Sequence, residues 1–258
     1  MNLCLGRTFI YTPEICGNAT KTHVNFGNAT FLFGRLMPSD GGVSVEEFLQ
    51  VEFPEMCVGM LYFGYLRDDE AVVVEGVKKY SDHEGYMKSF QCCGACTDER
   101  IFCVLTMDAK NYNPKLKRDA DDPEYDQVVS YEQQFDESHI LRDTMKARAA
   151  FEGCSRVSTG KWGCGQFQGN VYLKFLEQLV AAAQTGVQEF SFSAFSARSE
   201  EEQCNQLFLG LQHSRRTPGD LLAFLSALPK PVAGDAHDDV FLEQAMAWLA
   251  TKRRKFIK

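Results

Sequence analysis

The most informative stretch for predicting the fold is Val157–Ala183, VSTGKWGCGQFQGNVYLKFLEQLVAAA. The first half is a loop crowded with glycine, at positions Gly160, Gly163, Gly165 and Gly169. The second half predicts an amphipathic helix, because apolar residues recur at helical spacing at Leu173, Leu176, Val180 and Ala183. Glycines before a helix N-terminus let backbone amides face an anion, and the helix dipole adds positive potential. The stretch therefore predicts a phosphate or diphosphate site, with a plain glycine-rich turn between a strand and a helix as the alternative.

Length and composition bound the class of protein. The chain has 258 residues, 45% of them hydrophobic, which suits one α/β domain, alone or with a small annex. The net charge of −8 argues against direct binding to nucleic acid. The sequence has no apolar run of about 18 residues, so we expect no membrane span. The N-terminus MNLCLGRTF does not resemble a secretory signal, so we expect an intracellular protein, cytoplasmic or nuclear.

The chain contains ten cysteines. Cys93-x-x-Cys96 matches half of a structural zinc site, but no second pair at ligand spacing accompanies it. We therefore expect reduced thiols rather than zinc, and no metal or other cofactor.

Strand and helix patterns alternate along the rest of the chain. Strands are predicted at residues 7–12 and 22–34, at Glu70–Val77 as a buried strand, at Ile101–Asp108 and at Val187–Phe195. Helices are predicted at Val43–Phe53, Ser138–Phe151, Glu200–Leu211, Thr217–Leu228 and Val240–Ile257. Residues 38–42 read as a turn, 79–90 and 110–127 as polar loops, and 229–235 as a linker. The alternation predicts an α/β fold, a three-layer α/β/α sandwich.

The helix at Val43–Phe53 carries two adjacent acidic residues in its first turn. Ser44 is a plausible N-cap, Glu47 stands three residues later as in a capping box, and Pro54 ends the helix. A solvated first turn is one interpretation of Glu46 and Glu47, and a pair of catalytic carboxyl groups is the other.

The glycine loop also resembles a known family. Ser158–Gly165 followed by Phe167 is similar to TGxWGCGxF, the phosphate-loop pattern of poly(ADP-ribose) glycohydrolases. Further similarities follow in the same order over residues 24–227: Val24–Asn28 to a VDFAN strand end, Glu46-Glu47 to the QEE helix, Gly85-Tyr86 to a tyrosine loop, and Phe190–Phe192 to a YFTF strand. The resemblance implies that residues 1–258 form a single macrodomain with a mixed central sheet, its core at about 24–227 and a C-terminal helix at 240–257.

The resemblance further implies a site and a reaction. The chain is expected to bind ADP-ribose and to cleave the glycosidic bond at the ribose distal to adenine, removing ADP-ribose from modified proteins. Implied ligand-binding residues are Asn28, Gly41, Gly42, Tyr86, Gly163, Cys164, Gly165, Gln166, Phe167 and Phe192. Glu47 is the implied general acid, which then activates water, and Glu46 orients the ligand. Asp40 is a further carboxylate placed to meet a guanidinium group or to help a water molecule.

The run before the glutamates departs from the family pattern. Phe31–Gly42 replaces a GGG motif and keeps only Gly41-Gly42. The substrate therefore stays open between poly(ADP-ribose) and mono-ADP-ribose, with arginine-linked mono-ADP-ribose as one form. Two other hypotheses remain: an inactive module that binds ADP-ribose, and a metabolic enzyme that binds another nucleotide.

Overall fold

The computed structural model describes residues 7–11, 22–32, 42–113, 115, 130–194, 198–228 and 237–251. Its strands are β1 (Arg7–Tyr11), β2 (Thr22–Gly27), β3 (Val72–Lys78), β4 (Ser81–Glu84), β5 (Gln91–Ala95), β6 (Ile101–Asp108), β7 (Arg156–Gly160) and β8 (Glu189–Ser193). Six of them form one sheet in the order β1-β8-β7-β2-β6-β3. The first five strands in that order are parallel, and β3 runs antiparallel to β6. The predicted mixed central sheet is confirmed.

Helices cover both faces of this sheet. They are α1 (Val45–Glu52), α2 (Glu137–Phe151), α3 (Val171–Thr185), α4 (Arg198–Ser214), α5 (Pro218–Ser226) and α6 (His237–Ala250), with 3-10 helices at Pro54–Leu61 and Tyr131–Phe135. One apolar core joins α1 to β3 and β6, with Phe48 and Leu49 in the same cluster as Val104. A second, larger core joins α2–α6 to the sheet, and Phe241 of α6 belongs to it. The predicted three-layer sandwich is therefore confirmed.

Local signals account for where several helices begin. Ser44 is the N-cap of α1 and forms the predicted capping box with Glu47, and Pro54 follows the helix. Thr217 caps α5 and Pro218 opens it, so that the missing proline N–H costs no hydrogen bond there. At α3, the side chain of Asn170 accepts a hydrogen bond from the backbone N–H of Leu173 at 2.9 Å.

Two predictions about residues 70–90 were wrong. Glu70–Val77 was expected to be buried, but β3 is an edge strand and Val73 is 41% exposed. Its apolar run reflects packing of only part of the strand against the α1 core. The loop expected at 79–90 contains β4, which pairs antiparallel with β5 in a separate two-stranded sheet. The polar composition concealed this hairpin, because β4 is mostly half-buried and β5 is exposed, so neither strand has a buried apolar face.

The opening stretch also differs from its prediction in two ways. Val157–Gly160 forms most of β7, in the middle of the sheet, rather than the start of the loop. The helix that follows is buried on all sides from Val171 to Ala182, rather than on one stripe. The reason is its environment, since α3 packs against the sheet on one side and against α2, α4, α5 and α6 on the others.

Several predicted segments lie wholly or mostly outside the described residues. They are the turn at 38–42, the loop at 110–127, the linker at 229–235 and the end of the C-terminal helix beyond residue 251. Within the described part of the chain, no helix is long and apolar enough to cross a membrane.

Candidate functional site

The parallel strands bring the predicted site to one edge of the sheet. Because β2, β6, β7 and β8 run in the same direction, their carboxyl ends meet there, where open α/β sheets bind ligands. Asn28 follows β2 at this edge, and the glycine loop, residues 161–170, follows β7. A Cβ atom at Gly160 would lie 2.8 Å from the backbone oxygen of Ser193 and 3.7 Å from the ring of Phe26. The loop therefore starts in close contact with both neighbouring strands.

The glycine loop is folded tightly on itself and open on one side. Gly163 has φ +71°, and a Cβ atom there would lie 2.7 Å from that of Ala109. The N–H of Gly169 donates to the carbonyl oxygen of Gly163 at 2.8 Å, which closes the loop. A Cβ atom at Gly165, by contrast, would meet no other atom within 4 Å, and Gly165 is exposed together with Gln166. The backbone from Gly163 to Gln166 can therefore be approached by an anion.

Cys164 and Phe167 anchor this loop from below. The Cys164 thiol donates to the carbonyl oxygen of Trp162 at 3.4 Å. Phe167 packs partly against the larger core, and its carbonyl oxygen accepts from the N–H of Tyr112 at 2.9 Å. Both residues therefore hold the loop, while their backbone groups stay part of its outer turn.

The two adjacent glutamates of α1 have different surroundings. Glu46 is buried, and its Oε1 accepts a hydrogen bond from the N–H of Asn28 at 3.3 Å. Glu47 is half-buried, and its Oε2 accepts from the N–H of Ser44 at 2.8 Å and from the Ser44 hydroxyl. Glu46 is thus tied to the end of β2, whereas Glu47 stands at the N-terminus of α1 with partial access to solvent. The structure brings Asn28 and the Glu46 carboxyl group together, and Glu47 is the next residue of the helix.

Tyr86 and Gly42 lie at the same end of α1. Val43 and Met87 exchange backbone hydrogen bonds of 3.2 and 2.9 Å, which place the turn after β4 beside the start of the helix. Gly42 has φ +94°, and a Cβ atom there would lie 2.2 Å from the carbonyl carbon of Met87, so only glycine fits. Burial, and then the charge of Glu47, raises the pKa of Tyr86. The phenol therefore lies within electrostatic reach of the Glu47 carboxyl group.

Of the other predicted site residues, two lie outside the described part of the chain and one is buried. Asp40 and Gly41 lie outside the described residues. Phe192 is fully buried and packs edge-on against Phe175, with ring centroids 5.0 Å apart. Alternation along β8 turns the ring towards α3, and its place near the ribose stays a prediction.

A buried ionic network under the glycine loop escaped the sequence analysis. Lys174 of α3 pairs with Asp143 of α2 and, at 2.9 Å, with Glu177. Its ammonium group also lies 5.3 Å from the ring centroid of Trp162, inside the loop. Arg142 extends the network by pairing with Asp143 at 2.8 Å. The available signal was a Lys and a Glu three residues apart in an otherwise uncharged helix, at positions Lys174 and Glu177.

Burial and charge shift the pKa values within this network in opposite directions. Burial alone would raise the pKa of Asp143, but the charges of Lys174 and Arg142 lower it to about 2. Burial raises the pKa of Glu177 to about 8, although Lys174 opposes the shift. In addition, Oε1 of Glu177 is buried without a hydrogen-bond partner among the described residues, which disfavours a charged carboxylate.

We expect the Glu177 shift to make stability depend on pH. A carboxyl group whose pKa is raised by folding stabilises the protein below its unfolded value, and this contribution is lost as pH rises through the folded value. The free energy of unfolding should therefore fall between about pH 5 and the folded value near 8, by at most about 1.4 kcal/mol per pH unit for one proton. Urea unfolding of the wild type and Glu177→Gln across this range measures the effect. Parallel pH profiles for the two proteins would contradict it.

The described residues contain no group of three or more His, Cys, Asp or Glu side chains arranged to hold a metal ion. In the Cys93-x-x-Cys96 pair, Cys93 is exposed on β5 and Cys96 follows that strand.

Comparison with known proteins identifies similar sequences and structures. A family model described as "Poly (ADP-ribose) glycohydrolase (PARG), Macro domain fold" matches residues 12–202. The chain is 27% identical over 210 residues to "Probable poly(ADP-ribose) glycohydrolase 2" of Arabidopsis thaliana, covering 68% of this chain and 40% of that protein. It is 23% identical over 235 residues to "Poly(ADP-ribose) glycohydrolase 2" of Caenorhabditis elegans, covering 83% and 45%. The chain thus spans less than half the length of these curated relatives.

Among solved structures, the poly(ADP-ribose) glycohydrolase of Deinococcus radiodurans in complex with ADP-ribose is 15% identical, with a TM-score of 0.47 over 80% of this chain and 84% of that one. The family model covers most of the present chain, from residue 12 to residue 202, including β2, α1, the glycine loop and α3. The chain therefore belongs to the poly(ADP-ribose) glycohydrolase family, with the macro domain fold.

Proposed function

We propose that this protein is an ADP-ribosyl hydrolase, which binds ADP-ribose and cleaves the glycosidic bond at the ribose distal to adenine. The observation that carries the proposal is the convergence of two features at the carboxyl edge of the sheet. One is the open backbone of the glycine loop, and the other is Glu46, which bonds Asn28, with Glu47 next to it in the first turn of α1. The first suits a diphosphate, and the second suits acid–base chemistry on a glycosidic bond.

The different surroundings of the two glutamates support different roles. Cleavage of a glycosidic bond passes through an oxocarbenium-like state, so a carboxyl group must give a proton to the leaving oxygen and then take one from water. Glu47 has the solvent access that such proton exchange needs. Glu46, bonded to the N–H of Asn28, holds the end of β2 and orients the ribose. We assign Glu47 as the general acid and base on these grounds.

The leaving group is the finer part of the proposal. The chain departs from the family pattern at Phe31–Gly42, next to the glutamates, so we propose a protein-linked mono-ADP-ribose as substrate, with arginine as a candidate acceptor. In this interpretation Asp40 meets the guanidinium group or assists the water. Poly(ADP-ribose) is the alternative substrate.

Release assays on defined substrates test the proposal. The protein is incubated with poly(ADP-ribose) and with arginine-linked and glutamate-linked mono-ADP-ribosyl proteins, and free ADP-ribose is measured. Release from the arginine conjugate alone would support the finer proposal and exclude the polymer. Release from none of them, with ADP-ribose still binding in calorimetry, would overturn the enzyme and leave a binding module.

Two glycine substitutions separate ligand binding from folding. Gly163→Ala adds a methyl group at φ +71° and 2.7 Å from Ala109, so we expect it to lower the free energy of unfolding by about 1–3 kcal/mol. Gly165→Ala meets open space, so we expect stability to stay unchanged. The Gly165 methyl group stands on the open side of the loop and obstructs the approach of a diphosphate, whereas the Gly163 methyl group forces the loop to shift. We therefore expect both variants to weaken ADP-ribose binding in calorimetry. Normal affinity in stable, folded Gly165→Ala would contradict the assignment of this loop to the diphosphate.

A further inference from the structure

The segment 79–90, which includes β4, lies along α1 like a strap, and we call it the α1 strap. At the C-terminal end of the helix, the N–H of Tyr80 donates to the carbonyl oxygen of Glu52 at 2.8 Å, and the hydroxyl of Ser81 donates to that of Val51 at 3.0 Å. At the N-terminal end, Met87 and Val43 exchange two backbone hydrogen bonds. The strap is thus attached at both ends of an eight-residue helix, about 12 Å long.

The attachment at the C-terminal end contains a buried ion cluster. The carboxylate of Glu52 is completely buried, and its Oε1 lies 2.8 Å from the ammonium of Lys79 and 2.6 Å from Nδ1 of His83. The His83 ring is stacked between two phenylalanines, with centroid distances of 4.4 Å to Phe48 of α1 and 5.4 Å to Phe90 of the strap. Buried charges that have hydrogen-bonded partners strongly restrict the geometry of the elements that carry them.

The same strap carries Tyr86, and the same helix carries Glu47. Glu52 is the last residue of α1, at the end opposite to Glu47, so it cannot itself contact a ligand held between Tyr86 and Glu47. Its contacts with Lys79 and His83 can act only through the relative placement of helix and strap. Tyr86, the predicted ligand contact, and Glu47, the predicted general acid, are thus both positioned by the packing of the strap against α1. The glycine loop does not take part in this packing.

We propose that Glu52 is a positioning residue of the site: its buried ion pair with Lys79 and its hydrogen bond with His83 hold the α1 strap against α1 and thereby set Tyr86 relative to Glu47. The catalytic part of this inference rests on the proposed function. Its structural part does not, because it concerns the register between the strap and the helix.

The test compares Glu52→Gln with Glu55→Gln. Glu55 is a matched control, since it also bonds the segment around the strap, at Lys78 N–H and the Tyr80 hydroxyl, but from an exposed position outside α1. In Glu52→Gln we expect faster amide hydrogen exchange at Val43 and Met87, at the distant end of the helix, and a fall in kcat/KM of about tenfold. Glu55→Gln should change neither quantity. Specific activity is measured per folded molecule, so that lost stability alone does not mimic the effect.

A second variant separates charge from packing. His83→Phe keeps an aromatic ring between Phe48 and Phe90 but removes one partner of Glu52, so we expect the same changes to a smaller extent. Unchanged exchange at Val43 and Met87 in Glu52→Gln would overturn the proposal, as would faster exchange with an unchanged kcat/KM. If the wild-type protein releases no ADP-ribose, the proposed function fails at that point, and the exchange measurement still decides whether Glu52 holds the strap on α1.

Discussion

Glu47→Gln is expected to lower kcat for ADP-ribose release by about 10²–10⁴-fold, the usual contribution of a general acid or base. The amide cannot give a proton to the leaving oxygen or take one from water. It can still accept the hydrogen bond from the N–H of Ser44, so the capping box and the start of α1 remain intact. The affinity for ADP-ribose, measured by calorimetry, should therefore change little while turnover collapses.

Glu137→Gln is the matched control for this substitution. Glu137 is also an acidic residue in the first turn of a helix, but it is exposed on α2, where we assign no function. The substitution Glu137→Gln should leave kcat unchanged. If Glu47→Gln kept its activity and Glu46→Gln lost it, the roles of the two adjacent carboxyl groups would have to be exchanged.

Lys174→Met is expected to destabilise the fold by about 3–5 kcal/mol, the typical result of removing one partner from a buried ion pair. Lys174 is fully buried, and its removal leaves the carboxylate of Asp143 with less compensation. It also removes the cation beside the ring of Trp162, which supports the glycine loop. Urea unfolding followed by circular dichroism measures the loss.

Two further variants test whether the loss of stability comes from the buried ion pair. Lys78→Met removes an exposed lysine from β3 and should change stability by no more than about 0.5 kcal/mol. The double variant Lys174→Met with Asp143→Leu removes both charges, so it should lose less stability than the sum of the two single variants. Strict additivity would show that the two side chains are not energetically coupled.

Local chemistry explains why much of the fold and part of the site could be predicted. The capping box at Ser44, the Pro218 start of α5 and the strand pattern of Ile101–Asp108 all depend on neighbours within a few residues. The glycine loop belongs to the same class, because a dense run of glycines before a helix restricts what the backbone can do. The corresponding elements formed where they were expected.

The errors occurred where burial depends on distant parts of the chain. An apolar run such as Val72–Val74 suits either a central or an edge strand. Its exposure was decided by the sheet order, in which β3 pairs with β6 and with no other described strand of that sheet. The packing of Phe192 against Phe175 in the core likewise could not be read from its match to a family strand. Neither outcome follows from residue type or spacing.

By itself, the sequence determined the family, the glycine loop and the adjacent glutamates, since these are contiguous motifs whose chemistry is local. Only the tertiary structure decided that Glu46 bonds the end of β2, that Met87, next to Tyr86, bonds Val43 before α1, and that Lys174 pairs with Asp143 beneath the loop. Such contacts join residues far apart in the chain, and they arise because five parallel strands bring their carboxyl ends to one edge and bury charged side chains between the helices that cover them. The residues of the site lie in short sequence motifs, but the electrostatics of the site depends on which motifs the sheet brings together.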